Sequence, residues 1–251
     1  MHFHIYIQLI LTIVILASCN GSHQRTRTIY SESEKIDSLL DNGGNPYDVA
    51  SYLYENPEYL FVPIKSDGRP YEVRTSYDGN FRVYSFVNCP SYWCDIHNIF
   101  QYQIDKEDPI FIKADAGDDG SIIEIGMQKQ ESKTYYLLVS QNYIFHQSEL
   151  IITMISAFSI DKSIYNSLKR ESLFKTKNGK TLETITVVWD NVHGEKDYDN
   201  LFGISIDNPN NTREIYIQII DETTGHAIDK AIVYRWDGKN FTYSGTKLMY
   251  Q

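Results

Sequence analysis

The sequence is short of basic residues, of cysteine and of long apolar runs, and each shortage narrows the class of protein. In the 251 residues, 23 Lys and Arg side chains stand against 33 Asp and Glu, a formal net charge of −10. Basic side chains on phosphates dominate nucleic-acid affinity, so DNA and RNA are poor candidate partners. Three cysteines are too few for a dense disulfide framework. The 42% hydrophobic and 14% aromatic residues are typical of a globular protein.

The chain also lacks the short motifs of common catalytic sites. Gly-x-Ser-x-Gly, His-Glu-x-x-His, Gly-x-Gly-x-x-Gly and a phosphate-binding loop do not occur. Ser159 to Lys162 match Ser-x-x-Lys, but that chemistry needs the serine at the start of a buried helix and a Lys-Thr-Gly partner motif that the chain lacks. A glycosidase pair of carboxylates leaves no sequence motif, because it is defined by its spatial separation. No cofactor is therefore expected, and a hydrolase acting on glycans or cell-wall material is kept as an alternative.

The longest apolar run lies near the amino terminus, from Ile5 to Ala17. As a helix it rises only about 20 Å, against a hydrocarbon core of about 30 Å, so it predicts a targeting segment rather than a membrane span. The run ends in Leu16-Ala17-Ser18-Cys19, which resembles the lipobox of bacterial lipoproteins. That resemblance implies cleavage before Cys19, a diacylglycerol on its sulfur and an acylated new amino terminus, with several acyl chains such as palmitate giving a firm anchor.

The same resemblance implies a location. Residue 20 is Asn rather than aspartate, which implies sorting to the outer membrane, and no acidic run follows to indicate display outside the cell. We therefore expect a lipid-anchored cell-envelope protein that faces the periplasm.

The pattern of residues divides the chain into four segments. They are a lipoprotein signal peptide over residues 1–18, the lipidated cysteine with a flexible tether over 19–30, a helical element over 31–64 and a β-rich domain over 65–251. In the helical element, apolar spacing predicts one short helix from Ser31 to Asp41 and a second that begins at Pro46 and ends near Asn56.

After about Lys65 the apolar period changes from 3.6 to 2. About a dozen short runs separated by turn signals predict a mainly β protein, either an antiparallel β-sandwich or a curved, propeller-like meander, with the two helices packed on it. One of the turn signals, Asp78-Gly79, predicts a two-residue type I′ hairpin, because that turn needs positive φ at both central positions.

This hairpin resembles one in a poorly characterised group of secreted proteins from gut-type Gram-negative bacteria. Their pattern is Asp-Gly-x-x-Arg-x-Tyr-Ser-aromatic followed by a strand with Gln-Tyr. The matching residues here are Asp78, Gly79, Arg82, Tyr84, Ser85, Phe86, Gln101 and Tyr102. The resemblance implies a fold and no chemistry.

Cys89 and Cys94 are the two cysteines left once Cys19 is lipidated. In an oxidising compartment they are predicted to pair, across a tight turn that Pro90 can start. A redox site is the alternative, but four intervening residues depart from the usual two.

Two kinds of candidate binding residue remain. Of the 20 Tyr, 11 Phe and 3 Trp, the aromatic residues first expected to contact a ligand are Tyr92 and Trp93, in the loop between the two cysteines. Next come Tyr143 and Phe145, which the pattern places between strands. No metal site is predicted, and the weak candidate ligands are Asp190, His193, Asp197 and Asp199.

These features favour a membrane-anchored binding or interaction module of the cell envelope. Its expected partners are the membrane, through the lipid anchor, and a glycan or an envelope protein.

Overall fold

The structure is a computed structural model. It describes residues 36, 38–40, 45–61, 71–88, 95–104, 108–115, 120–131, 133–146, 148–161, 167–190, 203–221 and 227–249. The predicted signal peptide and tether, with Cys19, lie outside these residues.

The described chain forms three β-sheets, as the mainly β prediction requires. The amino-terminal sheet has the order β1-β2-β3-β4. Its strands are β1 (Tyr71–Thr75), β2 (Phe81–Asn88), β3 (Asp95–Tyr102) and β4 (Phe111–Asp115).

The central sheet has the order β11-β7-β6-β5, and β8 also pairs with β7. Its strands are β5 (Ser121–Gln130), β6 (Lys133–His146), β7 (Ser148–Asp161), β8 (Ser167–Glu171) and β11 (Thr184–Asp190).

The carboxyl-terminal sheet has the order β10-β9-β15-β14-β13-β12. Its strands are β9 (Phe174–Lys175), β10 (Thr181–Leu182), β12 (Ile204–Ile206), β13 (Glu214–Ile220), β14 (Ala227–Trp236) and β15 (Phe241–Leu248). In the described chain every strand pair is antiparallel except β9 with β15.

The three sheets stack face to face, with the central sheet buried on both faces. Strand β6 shows this most clearly, because Leu137 and Leu138 are both buried and point to opposite sides. Leu137 packs with Ile215 and Trp236 of the carboxyl-terminal sheet. Leu138 belongs to the cluster between the central and amino-terminal sheets. A strand buried on both faces reads as a continuous apolar run, which explains the sequence from Tyr135 to Val139.

Helices cover the remaining face of the amino-terminal sheet. Helix α1 (Pro46–Glu55) begins where the Asn45 side chain accepts a hydrogen bond from the Tyr47 amide, and it buries Val49 and Leu53. A 3-10 helix, Pro57–Phe61, follows. The predicted second helix is confirmed, and residues 36 and 38–40, within the first predicted helix, are also helical. None of the described helices is long and apolar enough to cross a membrane.

The predicted two-residue turn at Asp78-Gly79 is wrong. The last pair of the β1–β2 ladder is Thr75 with Arg82, so residues 76–80 form the connection. Of the two turn residues only Gly79 has positive φ. The Asp78 carboxylate accepts hydrogen bonds from the Ser76 hydroxyl and the Asn80 amide, which stabilise a wider loop with Asp78 at negative φ.

Candidate functional site

An open groove of about 610 Å³ lies between the edge of the central sheet and the carboxyl-terminal sheet. Strand β11 forms one wall, and β13, β14 and β15 form the other. We call it the β11 groove. Its aliphatic lining residues are Ile185, Val187, Val188, Ile217, Ile219 and Ile232.

The groove is the open end of the hydrophobic cluster between these two sheets. Ile185 and Ile217 are buried members of that cluster, whereas Val187 and Ile232 pack against it and are only partly buried. The apolar side chains therefore continue past the point where the two sheets cover each other. This arrangement leaves apolar surface in contact with water.

Two tyrosines add polar groups to this apolar wall. The rings of Tyr234 and Tyr243 meet edge to face, with centroids 6.1 Å apart. Burial, and then the proximity of Tyr243, raises the pKa of Tyr234 above its ordinary value. In the described part of the chain no hydrogen bond joins either hydroxyl to another residue. Tyrosine hydroxyls in such surroundings usually have a hydrogen-bond partner. Because neither hydroxyl has one within the described chain, both are available to a ligand.

A β-bulge determines which side chains of β15 reach the groove. The register shifts where Val233 pairs with Gly245 and Tyr234 pairs with Tyr243, so Ser244 is the extra residue. Gly245 has φ +103°, which favours glycine. Because of this extra residue, Tyr243 faces the groove while Lys247 lies on the opposite face of the sheet.

A tight turn supplies further polar lining. Between β9 and β10, the Gly179 amide donates to the Thr176 carbonyl and the Thr176 amide donates to the Lys180 carbonyl. Gly179 has φ +81°, which favours glycine, and it completes the turn. The turn places Lys177 and Asn178 at the groove. Among the described lining residues Lys177 is the one charged side chain, in a chain whose formal net charge is −10.

No described lining residue of the groove is Asp or Glu. The hydrolase alternative requires two carboxylates, and this groove offers no such pair among the described residues. The arrangement of apolar side chains, two phenols, two amides and one cation is chemically suited to binding.

A second polar cluster lies where β8 meets β7. The Glu171 carboxylate accepts hydrogen bonds from the Ser159 hydroxyl at 2.6 Å and from Lys133 Nζ at 2.7 Å, with Lys169 Nζ at 3.8 Å. Ser159 therefore lies on a strand and donates its proton to a carboxylate, which is not the helical position that Ser-x-x-Lys chemistry requires. Burial alone would raise the pKa of Glu171, but the hydrogen bonds from Lys133 and Ser159 and the two lysine charges outweigh it and hold the pKa below its ordinary value.

This cluster predicts a loss of stability in acid. A carboxyl group with a lowered pKa stabilises the folded state above its unfolded pKa of about 4.3, and that contribution disappears as the pH falls through the folded value. We expect Lys133→Met to lower the free energy of unfolding by about 1 kcal/mol at pH 7 and by much less in acid, measured by urea unfolding from pH 7 to pH 3. Lys169→Met, which removes the more distant ammonium, is the control and should change it less at pH 7. A Lys133→Met effect of equal size at both ends of the pH range would contradict the assignment.

A third cluster lies on the outer face of the carboxyl-terminal sheet. Arg235 donates two hydrogen bonds to the same Glu214 oxygen, and the Tyr216 hydroxyl donates to the other oxygen. Burial, with the adjacent Glu214 carboxylate, raises the pKa of Tyr216 to about 12. Glu214 is thus fully engaged in pairing β13 with β14, and we assign this cluster a structural role.

The residues that carried the hairpin resemblance also form structural contacts. The Arg82 side chain is buried and donates to the Tyr59 carbonyl, at 2.6 Å, and to the Thr75 hydroxyl. Gln101 accepts from the Tyr84 hydroxyl and donates to the Pro57 carbonyl. These bonds attach the helical layer to the amino-terminal sheet.

The same motif also attaches that sheet to the central one. The Ser85 hydroxyl accepts from the Ile122 amide and donates to Asn98, whose amide nitrogen donates to the Gly120 carbonyl. The motif therefore identifies the centre of a layered fold.

Most of the binding and metal residues predicted from the sequence lie outside the described chain. These are Cys89, Tyr92, Trp93, Cys94, His193, Asp197 and Asp199. Asp190 is the last residue of β11. Within the described residues, no group of three or more His, Cys, Asp or Glu side chains is placed to hold a metal ion.

The placement of Tyr143 and Phe145 between strands is wrong. Both lie within β6, where they pair with Ile151 and Glu149 of β7. The β6–β7 ladder extends to the pair of His146 with Ser148. Sequence reasoning also missed every aromatic residue of the groove, since Tyr234 and Tyr243 read as ordinary alternating strand residues.

Comparison of the chain with protein-family models, with curated proteins and with solved structures gives no significant match. The fold defines a mainly β protein of three stacked sheets with a helical layer.

Proposed function

We propose that this protein is a lipid-anchored binding module of the cell envelope that takes its ligand, a glycan or an envelope protein, in the β11 groove. The observation that carries the proposal is the groove itself, an apolar wall open to water that includes two tyrosine hydroxyls with no hydrogen-bond partner among the described residues. Binding sites are typically concave and mostly apolar, with a few polar groups that orient the ligand. The lipobox residues support the anchor.

The anchor predicts a specific effect of Cys19→Ala. Without the sulfur no diacylglycerol can be attached, so we expect the protein to leave the membrane fraction and to lose incorporation of radiolabelled palmitate. Cys89→Ala is the matched control, since it removes a thiol but leaves the lipobox intact, and it should keep both properties. Membrane association and label that are unchanged in Cys19→Ala would contradict the anchor.

The groove predicts a ligand whose affinity depends on its lining. We expect the full chain to bind at least one member of an array of cell-wall glycans and synthetic envelope-protein peptides. Ile219→Lys places a charge in the apolar wall and should weaken that binding at least tenfold. Binding is measured by fluorescence anisotropy after circular dichroism has shown that the variant is folded.

Tyr77→Lys is the matched control, because Tyr77 is 71% exposed and lies on the β1–β2 loop, away from the groove. It should leave binding unchanged. The proposal fails if no probe binds, or if every probe that binds tolerates Ile219→Lys as well as it tolerates Tyr77→Lys.

A further inference from the structure

Strand β11 has an unusual sequence for the edge of a sheet. Its residues from Thr184 to Trp189 are Thr-Ile-Thr-Val-Val-Trp, with no charge, proline or glycine before Asp190. In the described part of the chain β11 pairs with β7 alone, so its other edge carries backbone N–H and C=O groups with no strand partner there. A long, uncharged, β-branched edge is a template for another strand.

The other sheet edges in the described chain are protected by known devices. Strands β10 and β12 have only two and three residues. Strands β1, β4 and β8 each carry charged side chains. The edge of β5 is partly covered, because Arg74 Nε donates to the Ile123 carbonyl and the Thr212 amide donates to the Met127 carbonyl. Strand β11 is therefore the exception among the described edges.

The groove runs along this edge. Four consecutive residues, Ile185 to Val188, line it, although successive side chains of a strand point to opposite faces. A groove that touches all four must follow the backbone of the strand rather than one of its faces. Val188 is 58% exposed, so water reaches this part of the strand.

We propose that the ligand of the β11 groove is an extended polypeptide segment of a partner protein, which adds to β11 as a further strand. This inference rests on the proposed function and specifies its ligand. The segment donates to and accepts from the backbone groups of β11 that pair with no described strand, which repeat every second residue, at about 7 Å. Its side chains on one face are apolar and enter the groove, and a carboxylate on the segment pairs with Lys177. This is recognition by β-strand addition, in which backbone bonds give affinity and side-chain pockets give specificity.

The backbone groups favour a polypeptide over a glycan. A sugar chain can stack on Tyr243, but it does not present alternating N–H and C=O groups at the repeat of a strand. The charge of the groove also favours a segment that carries a carboxylate, because the described lining holds one cation and no anion.

The test uses the full chain and defined synthetic peptides. The probe is a fluorescent heptapeptide that alternates threonine and valine and ends in glutamate. Its control has the same side chains but carries an N-methyl group on every backbone nitrogen, so it cannot donate backbone hydrogen bonds from either edge. We expect the first peptide to bind at least tenfold more tightly than the second, and the amides of residues 184–190 to exchange hydrogen at least tenfold more slowly when it is bound.

Two variants locate the contact. Val188→Lys places a charge on the edge and should weaken binding at least tenfold, whereas Tyr77→Lys should not. A probe that ends in lysine should bind more weakly than the probe that ends in glutamate, because of Lys177. The N-methylated peptide needs no variant, so the test does not depend on Val188→Lys being folded.

The outcomes separate this inference from the proposed function. Equal binding of the N-methylated peptide, or no protection of residues 184–190, overturns strand addition. If a glycan binds instead, with an affinity that Ile219→Lys lowers, the groove remains the binding site and the polypeptide ligand is wrong. If neither class of probe depends on Ile219, both proposals fall.

Discussion

Gly120→Ala is expected to lower the free energy of unfolding by about 3 kcal/mol or more. Gly120 has φ +74°, where a side chain costs about 1–2 kcal/mol. An added Cβ would also lie 2.7 Å from the Gln141 carbonyl oxygen and 3.2 Å from the Asn142 nitrogen. These are backbone atoms inside the β5–β6 ladder, which cannot move aside as a flexible side chain can. Urea unfolding monitored by circular dichroism measures the loss.

Gly79→Ala separates the cost of the positive φ from the cost of the steric contact. Gly79 has the same φ, +74°, but an added Cβ there would meet nothing within 4 Å. We therefore expect Gly79→Ala to cost only about 1–2 kcal/mol, the price of the left-handed conformation alone. If both variants lose the same free energy of unfolding, the close approach of residue 120 to β6 is wrong. The hydrogen bond from Asn98 to the Gly120 carbonyl would then be wrong as well.

Phe81→Ala is expected to cost about 3–5 kcal/mol, the range for truncating a fully buried Phe. Phe81 is 0% exposed and lies between the amino-terminal and central sheets. Its ring stacks on Tyr136 with centroids 4.6 Å apart, and the rings of Phe100 and Tyr102 lie about 6 Å away. Removing it leaves a cavity among rigid rings on both sheets. The free energy of unfolding, again from urea titration, is the measurement.

Two further variants make this result specific. Tyr54→Ala removes an aromatic ring that is 77% exposed and should change stability by less than about 0.5 kcal/mol. A double-mutant cycle with Tyr136→Leu should give a coupling energy of about 0.5–1.5 kcal/mol for the stacked pair. A loss below about 1 kcal/mol for Phe81→Ala, or no coupling to Tyr136, would contradict the stacking of these two sheets.

The sequence predicted most of the strands because their apolar period is local information. Strands β13 and β14 lie close to their predicted positions, Ile215 to Ile219 and Ala231 to Trp236. The second helix was predicted from Pro46, because the fixed φ of proline acts within the first turn, whereas its cap at Asn45 was seen only in the structure. Strand β8 was missed because its Lys169, Arg170 and Glu171 hide the alternation.

The alternation of β15 illustrates what such reasoning could not detect. From Phe241 to Lys247 every second residue would face the same side of a regular strand. The bulge at Gly245 sends Tyr243 to the groove and Lys247 to the outer face, where its Nζ lies 3.8 Å from Glu214. A bulge depends on the register with the neighbouring strand, and no period within β15 contains that information.

The sequence by itself determined the type of most of the elements, because helical and strand periods depend on a few neighbouring residues. The location in the cell envelope stays a prediction from the resemblance of residues 16–19 to a lipobox. Only the tertiary structure decided which sheets stack, and so which tyrosines remain accessible to a ligand. The β11 groove is built from residues far apart in the chain, such as Lys177, Ile219 and Tyr243. It exists because two sheets that share a core stop covering each other at one edge, and that boundary is set by packing between strands rather than by the order of residues within them.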